Sequence, residues 1–165
     1  MHSLTKIELD SLLQVARKHS ERDYIMLLVG WCHGMRASEI CGLTAEHIRG
    51  KHIRIERLKG SETNVQEAHP DVLAFAQGKT GLLFGIKRRQ FHNVVVMHCA
   101  TAGIPEHKQH AHVLKHSVAH IMLDGGAPIN AVQKRLGHRS LASTGRYLVV
   151  SDDIANLAFA KAMGQ

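Results

Sequence analysis

Cysteine is scarce and unsuitably spaced. The chain has three, Cys32, Cys41 and Cys99, at long intervals with no Cys-x-x-Cys pair. That excludes a zinc ribbon or a redox dithiol and predicts reduced, mostly buried thiols. Long apolar runs are missing as well. None approaches the ~20 residues that span a bilayer, and Met1 to Glu8 lacks the apolar centre of a secretion signal. No membrane partner is expected, and a cytoplasmic protein is the simplest reading. Acidic residues are the minority charge, 14 against 21 Lys plus Arg, giving a formal net charge of +7. Such a surplus attracts a polyanion without naming it. No internal repeat, low-complexity tract or long linker interrupts the chain. At 21% charged residues of mixed sign it is not a disordered tail, and its 165 residues suit one domain.

Histidine, by contrast, is abundant, with 14 residues. Thr5 followed by Glu8 forms a capping-box pattern, and Ile7, Leu9, Leu12, Leu13 and Ala16 recur at helical spacing, which predicts a helix over about 5–19. Tyr24 to Cys32, opened by Ser20 and Asp23 and closed by Gly34, reads as a buried helix with Arg36 just past its end. Between His47 and Ala68 the pattern becomes short β-branched alternation, broken at Arg49-Gly50-Lys51 and Lys59-Gly60-Ser61. Three short antiparallel strands are expected there. Helical patterning returns after Pro70, again from about Lys87 to Ala102, and in four short segments from His112 onward. The fold class is mainly α (α+β), a helical bundle with a small three-stranded antiparallel sheet.

Few residues offer chemistry, and each has a plain structural reading beside the functional one. Of two tyrosines, Tyr24 sits in an apolar run and reads as core, whereas Tyr147 follows Ser143-Thr144-Gly145-Arg146, where a neighbouring cation would ease deprotonation of a nucleophilic phenol. His112 and Lys115, three residues apart on a helix, project together and could handle a proton and an anion, or be a solvated basic face. His112, His116 and His120 repeat along one side as in a zinc site. No His-Glu-x-x-His accompanies them, and incidental histidines are preferred. Glu39 is spaced to orient Arg36 toward a phosphate, or to form an exposed ion pair. Lys59 tops the expected hairpin, and His138 lies at a turn between Gly137 and Arg139.

Taken in order, Gly34-Met35-Arg36-Ala37-Ser38-Glu39, Lys59, His112-Val113-Leu114-Lys115-His116, Leu136-Gly137-His138 and Tyr147, nine residues beyond His138, resemble the catalytic domain of tyrosine recombinases, the phage integrase family. The resemblance spans nearly the whole chain. It implies a site-specific recombinase or integrase that cuts double-stranded DNA through a 3′-phosphotyrosine, with no cofactor and no metal. By resemblance, Tyr147 is the nucleophile, Arg36 binds the phosphate oxygens, Lys59 protonates the leaving 5′-oxygen, His112 assists proton removal and His138 donates to the phosphate. Glu39 and His116 support the site. Lys115 stands where the family has a second arginine, keeping the charge but losing the planar fork. Residues 1–165 are expected to be the catalytic domain alone, without the amino-terminal helical domain of most relatives. The carboxyl-terminal face of Ile154, Leu157, Ala158, Phe159 and Ala160 is expected to join protomers in a tetramer on DNA. The origin implied is bacterial, phage or mobile-element. The alternatives are a noncatalytic DNA-binding relative, a type IB topoisomerase-like enzyme and, more distantly, a histidine metalloenzyme.

Overall fold

The computed structural model describes residues 3–58, 60–145, 147 and 160–163. Thr5 opens the first helix. Its hydroxyl accepts from the Glu8 N–H while the Glu8 carboxylate accepts from the Thr5 N–H at 2.7 Å, and α1 runs Lys6–His19. Ser20 alone separates it from α2, Glu21–His33, closing the first helix through the Ala16 carbonyl and opening the second by accepting from the Asp23 N–H. Every residue of α2 from Asp23 to Gly30 is buried, as expected of a helix that is apolar nearly all round.

A short helix unforeseen in the sequence follows, α3, Ala37–Cys41. Five residues are too few to display a helical period. The expected sheet then forms from β1 (Ile48–Arg49), β2 (His52–Ile55) and β3 (Asn64–Glu67), antiparallel in that order, with Ile53 opposite Gln66 and Ile55 opposite Asn64. Ile53 and Ile55 are buried while His52 and Arg54 are exposed, the alternation of a one-sided sheet.

Pro70 occupies the first turn of α4, Pro70–Ala76, where its missing N–H costs nothing. Next come α5 (Arg88–Thr101), α6 (His112–Asp124), α7 (Ile129–Leu136) and α8 (Leu141–Gly145). The larger core gathers α1 to α5, the inward isoleucines of β2 and the start of α6. A smaller one joins Val118, Ala119, Val132, Leu136 and Tyr147. Of the four helical segments expected after His112, three are α6 to α8. The fourth falls on Ile154, Leu157, Ala158, Phe159 and Ala160, of which only Ala160, which is helical, lies among the described residues.

The cysteine expectation needs one correction. None of the three is bonded to another, but only Cys99 is buried, and Cys32 and Cys41 are partly accessible because they sit at the margin of the core. Among the described residues no helix is long and apolar enough to cross a membrane.

Candidate active site

Gly34 ends α2 in the left-handed conformation at φ 58°, and a Cβ there would lie 2.6 Å from Leu136 Cδ2. Glycine thus permits both the turn and the close approach of α7. The chain reverses at once, placing Arg36 as the residue that caps α3. Glu39 accepts from the Arg36 backbone N–H at 2.8 Å and from its guanidinium at 2.9 Å. The guanidinium also donates to the Leu58 carbonyl at 3.4 Å and to Ser61 Oγ at 3.1 Å, on either side of Lys59. Lys59 itself lies outside the described residues.

On α6, His112, Lys115 and His116 share one face. Together with Met35, Arg36 and Tyr147 they line a cavity of about 260 Å³. Lys115 is buried, and its ammonium donates to the Leu136 carbonyl at 3.2 Å, at the end of α7. Tyr147 is 3% exposed, its ring meeting His120 edge-on at 5.4 Å. His116 Nδ1 stands 2.9 Å from the Tyr147 hydroxyl. The group that meets the phenol is therefore His116, where the family resemblance gave proton removal to His112.

His138 is buried in the turn after α7, its Nδ1 2.9 Å from Thr144 Oγ1, and is not among the residues lining this cavity. The other tyrosine is differently employed. Burial and a 2.6 Å hydrogen bond to Asp71 push Tyr24 up to about 12, so it is a protonated structural phenol. Burial likewise pushes Cys32 and Cys99 up to about 11, which removes them as thiolate nucleophiles.

Beneath the cavity lies a residue the sequence reading missed. The Arg57 side chain is wholly buried and donates to the carbonyls of His33 and Gly34 at the end of α2, of Arg135 near the end of α7, and to Glu39 at 3.1 Å. The last carbonyls of a helix have no partner within it and carry partial negative charge, so one cation here satisfies two helix ends. Asn64 and Gln66 of β3 grip the same end of α7, through the carbonyls of Lys134 and Arg135. Burial alone would raise the Glu39 pKa. The Arg36 N–H, the Arg57 charge, the Leu58 N–H and the Lys115 charge outweigh it and hold the carboxyl below its ordinary range. Arg57 had a visible signal, since it continues the inward register of Ile53 and Ile55, where a charge can stay only if paired.

Comparison with known proteins places this arrangement. The model of the phage integrase family matches residues 2–153. The chain is 30% identical over 162 residues to the type 1 fimbriae regulatory protein FimB of Escherichia coli K12, covering 86% of this chain and 80% of FimB. It is also 30% identical over 165 residues to a tyrosine recombinase of Pseudothermotoga lettingae, covering 88% of this chain and 55% of the relative. Its fold is similar to the XerH recombinase bound to its difH substrate before cleavage, with a TM-score of 0.80 at 20% identity over 96% of this chain and 53% of that one. The catalytic domain of bacteriophage HP1 integrase gives 0.75 at 22%, over 96% and 94%. The chain thus spans about half the length of several recombinases it matches. With the family model covering most of its length and a tyrosine, an arginine, a lysine and two histidines around one cavity, the chain belongs to the phage integrase family, the tyrosine recombinases that cut and rejoin DNA strands.

Proposed function

We propose that Tyr147 Oη attacks a phosphodiester of duplex DNA seated over this cavity. The bond from phosphorus to the O5′ of the following nucleotide breaks, a 3′-phosphotyrosine forms, and the freed 5′-hydroxyl or that of a second strand reverses the step. The covalent link conserves the phosphodiester, so no nucleotide is consumed. One observation carries the reading: the Tyr147 hydroxyl, bonded to His116, lines the same cavity as Arg36 and Lys115.

Proton transfer and charge divide among these groups. His116 Nδ1 takes the phenolic proton as attack begins. Arg36, fixed by Glu39 and Ser61, and Lys115, fixed by Leu136, are set before substrate arrives. They stabilise the charge that develops on the nonbridging oxygens without paying to reorganise. His112 lies at the exposed first turn of α6, where it can bond a phosphate oxygen. His138, beside the end of α7, donates to the phosphate once DNA displaces its bond to Thr144, and Lys59 protonates the leaving 5′-oxygen. The remaining parts of the reading are assembly as a tetramer on DNA through the carboxyl-terminal residues, action as the catalytic domain, and a cytoplasmic site of action.

The test is a pool of nicked duplexes of randomised sequence, whose short strand departs after cleavage and traps the intermediate. Wild type should give an adduct that survives SDS, and Tyr147→Phe none. Equal adduct from both proteins, or none from wild type, would end the proposal.

A further inference from the structure

The structure assigns a second site to this chain, a zinc site at the junction of α1, α2 and α5, built from His19, Asp23 and His98. It shares no residue with the Tyr147 cavity. His19 comes from the last turn of α1, Asp23 from the first turn of α2 and His98 from the last turns of α5. No sequence motif announces the group, because its members are drawn from three helices.

Geometry carries the argument. His98 Nε2 lies 3.0 Å and His19 Nδ1 3.9 Å from the same oxygen, Asp23 Oδ2. All three ligand atoms fall within 4.8 Å of one another. A tetrahedral ion with bonds of about 2.1 Å needs its ligand atoms roughly 3.4 Å apart. The two distances to Asp23 Oδ2 bracket that value, so small rotations of His19 and His98 suffice. The rings already stand edge to face with centroids 5.2 Å apart.

The surroundings hold the carboxylate ready. Arg22 bonds the other oxygen, Asp23 Oδ1, at 2.9 and 3.1 Å, which leaves Oδ2 turned to the two imidazoles. Burial would raise the Asp23 pKa, but the hydrogen bonds from His98 and Arg22 outweigh it and keep the group an anion. Outer partners of this kind orient metal ligands. His98 is 1% exposed, whereas the His19 side chain is 61% exposed. The site is therefore rooted in the core and open on one side, giving an ion an entry path and a place for water as fourth ligand. Two imidazoles and one carboxylate suit zinc better than calcium or magnesium, which prefer oxygen. Binding moves the proton on His98 Nε2 to Nδ1, and the ion then ties the α1–α2 junction to α5. The role is a staple, and it does not depend on the recombinase reading.

Zinc(II) titration of the tag-free full chain, read by a competing chelator and by thermal unfolding, tests the site. Wild type should bind with a rise in Tm. His19→Ala, an exposed position that leaves the fold intact, and Asp23→Asn should each weaken binding about tenfold or more and abolish the rise. His112→Ala should change neither, which separates this site from the histidines of α6. Unchanged affinity in His19→Ala, loss of binding in His112→Ala, or no zinc-dependent rise in wild type would overturn the assignment.

Discussion

Arg36 and Arg57 bond to the same carboxylate, Glu39, from opposite sides of one boundary. Arg36 belongs to the cavity, with its side chain 25% exposed, while Arg57 belongs to the layer beneath and is fully sealed. The upper layer, which includes His112 and His116, keeps groups that can turn to a phosphate. The lower layer, Arg57, Asn64, Gln66 and the ends of α2 and α7, bonds most of its polar groups to one another, leaving Arg57 Nε and His33 Nε2 buried without a hydrogen-bond partner among the described residues. Similar groups thus line the cavity above, where the reaction is proposed, and hold the packing below. The difference implies that substitutions above should cost rate and substitutions below should cost stability.

Arg57→Met is the largest expected break. It strands Glu39 with one cation fewer and leaves the His33 and Gly34 carbonyls without their donor, which should cost about 3–5 kcal/mol. A urea melt measures it, and a loss under about 1 kcal/mol would contradict the division. Arg36→Ala is the counterpart. Glu39 keeps Arg57, so the melt should move by about 1 kcal/mol or less, while adduct formation on nicked DNA should fall about 10²- to 10³-fold. A variant that unfolds rather than slows would place Arg36 in the lower layer.

The upper layer was the more legible in the sequence, because reactive residue types are conspicuous by kind and order. Arg36, His112, Lys115, His116 and Tyr147 were all anticipated and meet at one cavity. The bundle and sheet were legible too, from the Thr5–Glu8 cap, the Ser20 and Gly34 boundaries and the alternation at Ile53 and Ile55. The lower layer was not. Asn64 and Gln66 serve through long-range bonds to backbone carbonyls, and a carbonyl has no letter in the sequence. The partner of Tyr147 was also missed, since which of two histidines one turn apart meets a residue 31 positions away depends on packing.

His33 sharpens the comparison by pH. Its Nδ1–H donates to Gln66 Oε1 at 3.0 Å in the lower layer, and burial pushes its pKa down to about 4 from an ordinary 6.5. Between those values the unfolded chain holds a proton that the folded chain refuses. Stability should therefore be level above pH 6.5, fall as pH drops toward 4, and lose about 3 kcal/mol across the window from this group. Glu39 and Asp23, held below the ordinary carboxylate range, begin to cost only at more acid pH. In urea melts at pH 7.5 and 5, His33→Gln should flatten the difference. An unchanged pH dependence would show that His33 is not its source.

Lys115 offers the finest test, because it stands on the boundary itself. It lines the cavity, yet it is 6% exposed and spends one proton on the Leu136 carbonyl. An ammonium has three donors, so one can hold α7 while the others face a phosphate. If Lys115 works as the second phosphate clamp, Lys115→Arg should retain adduct formation within about tenfold, since a guanidinium supplies the same charge and a fork suited to two oxygens. Lys115→Ala should fall well below it. Alanine as active as lysine would confine Lys115 to the lower layer, as a brace for α7 with no part in the chemistry. Arginine as inactive as alanine would instead show that the compact ammonium, able to serve both layers at once, is what this position requires.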